Sequence, residues 1–301
     1  MISAYPIANS NESRVPEATR NIKHRKFLKG RYLPVMILKS DIKGDVYKGI
    51  SFKKILSPQW CLIKQGKRKA NLDEYGRDMH DRLNWQQKLN ASMSGFINMP
   101  AITDCFVEKE DMFLITDFIE GETLNECVDR IFLRSEHINI QDQQILAGYL
   151  IDISENLAQL HAAGFVHRDL SPANFLINKG KKISFIDMEL AYSIVDNEPN
   201  PPFVWGTPGF MTPSQLANER PCFQDDIYGL GSLMLFTITG TKPDECGLPD
   251  LTKVKNVLLR HSSNEFLIEL ILATLDPEPS RRPGIATILY NLQSYYETLN
   301  E

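Results

Sequence analysis

The chain has 301 residues, 43% of them hydrophobic, enough to bury a sizeable core in one large domain or two smaller lobes. Its formal net charge of -5 gives no electrostatic reason to expect DNA or RNA as a partner, which would favour a basic face. The five cysteines (Cys61, Cys105, Cys127, Cys222, Cys246) form no Cys-x-x-Cys pair and read as buried cytosolic thiols rather than a zinc or redox site. No apolar run of about eighteen residues suggests a membrane span, and the polar N-terminus is no secretory signal, so a soluble cytoplasmic protein is the expectation.

Residues 1–30 read as a flexible or loosely packed extension ending in a basic patch, His24-Arg25-Lys26 with Lys29 and Arg31, which is expected to be a solvated face. Short apolar runs with turn signals between them then predict antiparallel strands at 35–38, 45–52 and 60–64. Residues 73–92 carry Met79, Leu83 and Leu89 at roughly helical spacing and predict an amphipathic helix, and a hairpin follows, with strands at 106–107 and 112–115. After Gly121 the pattern turns helical, with an apolar stripe over 141–163 that includes Ile145, Leu146, Leu150 and Leu157. Two short strands return at 175–177 and 183–186, and helices dominate from about 213 onward. Several strands around one helix, followed by a mainly helical half, predict an α+β protein of two lobes, 31–118 and 119–301.

The most specific signal is an ordered set of motifs. His167-Arg168-Asp169, with Asn174 five residues after the aspartate, fits a loop in which a carboxylate accepts a hydroxyl proton and a nearby amide oxygen helps to hold magnesium. Asp187 follows a strand where a second metal-binding carboxylate would stand, since magnesium takes one or two carboxylates plus phosphate oxygens and water. Lys64 ends the strand Cys61-Leu62-Ile63-Lys64 and is placed to hold nucleotide phosphates. Lys43-Gly44-Asp45-Val46 marks a phosphate-covering turn with one glycine instead of three. Alone, each has a plain alternative: a capped turn for Asp169, a turn-forming acid for Asp187, an exposed strand-end lysine for Lys64. In this order they describe one site.

Three further segments identify the pattern. Asp226-Ile227-Tyr228-Gly229, Gly206-Thr207-Pro208-Gly209-Phe210 and Arg281-Arg282-Pro283 resemble the loop-buttressing, peptide-docking and late arginine segments of eukaryotic-like protein kinases. Aminoglycoside and choline phosphotransferases share the Asp/Asn/Asp site but generally lack this downstream set. Within protein kinases, Gly44-Asp45-Val46-Tyr47, Gly76-Arg77-Asp78 with Asp81-Arg82-Leu83, His167 to Leu176 and Asp187-Met188-Glu189-Leu190-Ala191 resemble the kinase domain of class III lanthionine synthetases.

The resemblance implies a bilobal kinase fold, ATP and Mg2+ as cofactors, and a Ser/Thr-containing peptide or protein as substrate. It names Asp169, Lys64 and Arg168 as catalytic and Asn174 and Asp187 as metal ligands. It places the nucleotide against Lys64, Gly44, Val46, Asp117, Phe118, Asn174 and Leu176. In that family the phosphorylated precursor peptide passes to a lyase and a cyclase. This chain is expected to hold only the kinase, with those steps coming from separate proteins, as in class V systems. A pseudokinase scaffold and a general signalling Ser/Thr kinase are the competing readings.

Four departures from the kinase pattern carry expectations of their own. The helical glutamate that pairs with the strand lysine is replaced by Gln86 or Gln87, so Lys64 is expected to be held less firmly. Ser171 stands where a lysine assists the transferring phosphate, with Arg168 as a substitute cation. Glu189 replaces a glycine and adds a carboxylate near the metal. Pro213-Ser214 replaces Pro-Glu, which leaves Arg282 without its expected partner.

Overall fold

The computed structural model describes residues 26–300 apart from 55, 94, 136 and 137. His24 and Arg25 of the basic patch, and most of the predicted N-terminal extension, lie outside the described residues. Lys29, at the edge of that patch, pairs with Asp104 at 3.0 Å and lies over the Phe106 ring.

The first lobe is a five-stranded antiparallel sheet built from β1 (Tyr32–Asp41), β2 (Gly44–Ser51), β3 (Gln59–Gly66), β4 (Ile102–Glu108) and β5 (Asp111–Asp117), in the order β1-β2-β3-β5-β4. Side chains alternate across each strand. Cys61, Ile63, Phe113 and Ile115 therefore join Tyr32 on one face, whereas Met112 and Leu114 meet Leu83 of helix α1 (Met79–Met93) on the other. Lys64 pairs with Val46 and Leu114 in the sheet register, which puts its side chain on the α1 side. Gly44 opens β2 at φ +146°, and a Cβ there would stand 1.9 Å from the Gln65 carbonyl oxygen, so the glycine allows two strands to meet.

Helix α1 begins six residues later than the apolar spacing predicts, at Met79 rather than residue 73. The preceding segment is a turn, because Asp73 Oδ1 accepts the amides of Tyr75 and Arg77, and Gly76 adopts φ +76°. Asp78 then caps the helix by accepting from the His80 amide at 2.7 Å.

Past Asp117 the chain leaves the sheet, and the division expected at 118/119 falls between β5 and β6 (Gly121–Thr123). The second lobe contains α2 (Leu124–Phe132), α3 (Ile140–Ala162), β7 (Phe165–Val166), a 3-10 turn at Pro172–Asn174, β8 (Phe175–Asn178), β9 (Ile183–Phe185) and β10 (Tyr192–Ser193). Helices α4 (Pro213–Leu216), α5 (Phe223–Thr239), α6 (Leu251–His261), α7 (Glu265–Thr274) and α8 (Ile285–Thr298) complete it. Thr123 and Glu126 form a capping box that starts α2 abruptly. Residues 225–239 of α5 are all buried and form the axis of the lobe, and each fully buried Leu or Met contributes roughly 1.5–3 kcal/mol. Ile145, placed in the apolar stripe from sequence, is instead 37% exposed on α3.

Candidate active site

The loop between β7 and β8 is held from below by Asp226, near the start of α5. Its carboxylate is wholly buried and accepts the backbone amides of His167 and Arg168 at 2.7 and 2.8 Å, and it contacts His161 Nε2 at 2.8 Å. Charge-assisted bonds of this kind are the strong ones. They fix Arg168 at φ +68°, a conformation costing roughly 1–3 kcal/mol that turns the chain toward the cleft at the next residue. Burial pulls the His167 imidazole below its ordinary range, and its Nδ1 accepts the Asp169 amide at 3.2 Å. Asp169 presents its carboxylate with both oxygens oriented: Oδ1 accepts the Thr207 amide at 3.0 Å, and Oδ2 accepts the Asn174 side-chain amide at 2.8 Å.

Across the cleft, Lys64 Nζ lies 2.8 Å from Asp187 Oδ2 and 2.7 Å from Glu189 Oε2. Burial opposes the ammonium charge, but the two carboxylates outweigh it and hold Lys64 above its ordinary range. Burial also opposes the charge on Glu189, yet Lys64 and then Arg82 keep this carboxyl below the usual range. Asp187 moves the other way, raised by burial and by repulsion from Glu189 against the pull of Lys64. The cluster therefore has one firmly ionised acid, Glu189, between Lys64 and Arg82, and one acid, Asp187, whose charge is disfavoured.

These groups line one cavity of about 200 Å3. Its roof is Lys39, Lys43, Gly44, Val46 and Lys64, its floor Asp169, Ser171 and Asn174, and its walls Asp187, Glu189, Arg82, Trp205 and Thr207. The donor set fits a hard divalent cation. Both N–H groups of the Asn174 amide are directed at Asp169, to its carbonyl at 2.9 Å and its Oδ2 at 2.8 Å, which leaves the amide oxygen as the end able to bind metal beside Asp187. Among the described residues no three His, Cys, Asp or Glu side chains are grouped to hold an ion unaided, so such a cation would draw further ligands from phosphate and water.

A model of the protein kinase domain matches residues 44–292, which spans the sheet, the cleft and the helical lobe. The chain belongs to the protein kinase family. Its bilobal fold, an antiparallel sheet followed by a helical lobe, is the protein kinase fold, and ATP with a divalent metal is what that domain uses generally. Serine/threonine-protein kinase PknA of Nostoc sp. is 24% identical over 228 residues, 73% of this chain and 39% of that protein. Serine/threonine-protein kinase plk-2 of Caenorhabditis elegans is 24% identical over 268 residues, 87% of this chain and 38% of that protein. MAP kinase kinase kinase wis4 of Schizosaccharomyces pombe is 24% identical over 221 residues, 68% of this chain and 15% of that protein. The kinase domain thus spans less than half the length of each of these relatives. No described helix is long and apolar enough to cross a membrane.

Several sequence expectations are corrected in the kinase cleft. Arg168 is not a substitute cation for the transferring phosphate. Its guanidinium is buried and donates to the carbonyls of Phe203 at 2.7 Å and Leu190 at 3.3 Å, and although burial pulls it down to about 10 it remains charged at neutral pH. Of the two amides at the helical glutamate position, Gln86 is buried and faces Lys64 at 3.5 Å, whereas Gln87 is exposed. Lys64 is not poorly held, because Glu189 supplies the countercharge that α1 lacks. Arg282 is not stranded either: it donates to the carbonyls of Gln224, Asp276 and Pro277 and stacks on Tyr228. The hydroxyls of Thr212 and Ser214 bond Asp225 instead.

Asp117, Phe118 and Leu176 lie outside the cavity that Lys64 and Asp169 share. The ring of Phe118 sits under Lys48 Nζ at 4.3 Å. Gln215 was invisible to sequence reading. It donates to the Arg168 carbonyl at 2.7 Å and ties the catalytic loop to α4.

Proposed function

We propose that this kinase domain transfers the terminal phosphoryl group of ATP to serine or threonine hydroxyls of a peptide, with magnesium as the metal. The observation that carries the reading is the convergence of Lys64, Asp169, Asn174 and Asp187 on one cavity, where Asn174 orients Asp169 and Asp187 meets Lys64. Asp169, its two oxygens already aligned by Thr207 and Asn174, accepts the hydroxyl proton. Lys64 holds phosphate oxygens from the roof of the cleft, with Lys39 and Lys43 adding positive charge. Magnesium, held by Asn174 and Asp187, would neutralise charge on those oxygens. Gly44 and Val46 line the roof beside Lys64, and Asp117, Phe118 and Leu176 are assigned to the base. Two of the relatives named above, PknA and plk-2, are serine/threonine-protein kinases by name, which supports the choice of hydroxyl.

The finer reading rests on the sequence resemblance to class III lanthionine synthetases. It makes the substrate a ribosomally made precursor peptide in the cytoplasm, phosphorylated before a separate lyase eliminates phosphate and a cyclase adds cysteine thiols. Incubation of the full chain with ATP, magnesium and a cognate precursor should add about 80 Da per phosphoryl group, and Asp169→Asn should abolish the gain. Phosphorylation of generic Ser/Thr peptides but of no precursor would sink the pathway reading and leave the kinase. Binding of ATP without transfer to any peptide would favour a scaffold that presents the peptide to a partner. The Lys64–Glu189 pair argues against that scaffold, since the lysine has the acidic partner that a decayed site would lack.

A further inference from the structure

The helix facing Lys64 carries an amide and an arginine, and the acid that meets the lysine comes from the other lobe. Gln86 Oε1 lies 3.5 Å from Lys64 Nζ, at the outer limit of a hydrogen bond, whereas Glu189 Oε2 lies at 2.7 Å. Glu189 also faces back to α1, with its Oε1 3.7 Å from Arg82 Nη1. Arg82 is only 2% exposed, and a guanidinium buried this far needs an acid and further acceptors around its planar fork. It finds one in the Val204 carbonyl, to which Nη2 donates at 3.1 Å, and its plane lies over the Phe203 ring at 5.4 Å. Residues 203–204 lead directly into Trp205, Gly206 and Thr207 at the cavity wall, and the Thr207 amide orients Asp169.

We propose that Glu189 and Arg82 together replace the missing helical glutamate, as an ion pair that has exchanged ends: the acid stands after β9 and the helix supplies the base. Lys64 has two acidic neighbours, and only one is needed for a metal. With Asp187 assigned to the cation, Glu189 remains to hold Lys64 in position, and Arg82 holds Glu189. Because the same guanidinium bonds Val204, the placement of the nucleotide lysine is tied to the segment that precedes the peptide-docking turn. Glu189 and Arg82 are positioning residues in this arrangement and transfer no proton. The inference rests on reading the cleft as a nucleotide site.

The test uses the full chain, with the dissociation constant of MgADP measured by calorimetry without peptide, KM for ATP and kcat measured with peptide, and a melting curve for each variant. Glu189→Gln should weaken MgADP binding and raise KM for ATP, each about tenfold, the scale expected for losing one charged contact. Adding Gln86→Glu to Glu189→Gln should recover most of that loss, because a carboxylate then faces Lys64 from the helix. A merely structural role for Glu189 would not be rescued in this way. Arg82→Gln should weaken nucleotide binding too, and its combination with Glu189→Gln should cost less than the product of the two, since both act on one relay. Unchanged affinity in Glu189→Gln, failure of Gln86→Glu to rescue at an unaltered melting temperature, or full additivity of Arg82 and Glu189 would each overturn the proposal. A wild-type chain that binds no nucleotide overturns the reading of the cleft as well, whereas equal, measurable affinities overturn the inference alone.

Discussion

At the residue scale, Asp169 shows how a carboxylate is prepared for one task. Each oxygen already accepts one donor, from Thr207 at 3.0 Å and from Asn174 at 2.8 Å, so the group cannot rotate freely, and in the proposed reaction a hydroxyl would approach it in a fixed direction. Asp169→Asn would set an amide N–H against one of those two N–H donors and remove the proton acceptor. We expect kcat to fall by about 10²–10⁴, the range for general base catalysis, with nucleotide affinity within a few-fold of wild type. Single-turnover phosphorylation beside ADP binding separates the two, and a parallel loss of both would show that Asp169 shapes the site rather than acting in it. Ser171 leaves no ammonium next to Asp169, and with Arg168 turned to Leu190 and Phe203, positive charge must come from the roof. Lys43 stands there, in the turn before Gly44, with its charge felt at Glu189. Lys43→Ala should raise KM for ATP several-fold with little change in KM for peptide. Equal KM values for ATP in the two proteins would remove Lys43 from the phosphate site.

At the element scale, the segment from Ile194 to Gly206 contains no Ser, Thr or Tyr, yet three arginines converge on it. Arg77 donates to the carbonyls of Pro201 and Pro202 and stacks on Phe203 at 4.4 Å, Arg82 donates to Val204, and Arg168 donates to Phe203. Backbone carbonyls and one aromatic face, with Asp73 on Arg77 and Glu189 on Arg82, thus occupy cations that could otherwise receive a phosphate. Activity should accordingly be the same before and after phosphatase treatment, and Arg77→Ala should raise KM for peptide more than KM for ATP. A marked loss on dephosphorylation, with mass spectrometry locating the lost phosphate at Ser193 or Thr207, would contradict this. Elements of this kind divide sharply in how far the sequence reveals them. The strands were legible because short apolar runs such as Trp60-Cys61-Leu62-Ile63 and Met112-Phe113-Leu114-Ile115 stand between turn signals, and the catalytic loop because its residues are adjacent in the chain. The start of α1 was not, since Asp73 closes a turn through hydrogen bonds that compete with helix. The partner of Lys64 was not either. It lies 125 residues away, on a segment whose spacing relative to α1 no periodicity encodes.

At the scale of the molecule, α1 belongs to both lobes. Leu83 packs beneath the sheet against Met112 and Leu114, while Trp85, Leu89 and Met93 join the same continuous core as Leu170, Met188 and Leu190. Trp85 seals the junction: it is 8% exposed, and its Nε1 donates to the Ala191 carbonyl at 2.7 Å, just beyond Glu189. Any movement that swings the sheet away from the helical lobe must either carry α1 with it or break this bond. Trp85→Phe keeps an aromatic ring but leaves the Ala191 carbonyl unpaired in a buried place, at a cost of about 1–3 kcal/mol. For a chain of this size that corresponds to a fall in melting temperature of roughly 2–4 °C for each kcal/mol. The functional consequence follows from position, because Ala191 shares its short segment with Asp187 and Glu189, and loosening it loosens both acids around Lys64. We therefore expect Trp85→Phe to weaken nucleotide binding as well as stability, and bound nucleotide to restore more of the melting temperature in wild type than in the variant. Equal nucleotide-induced shifts in the two proteins would show that the bond supports the fold without reaching the cleft.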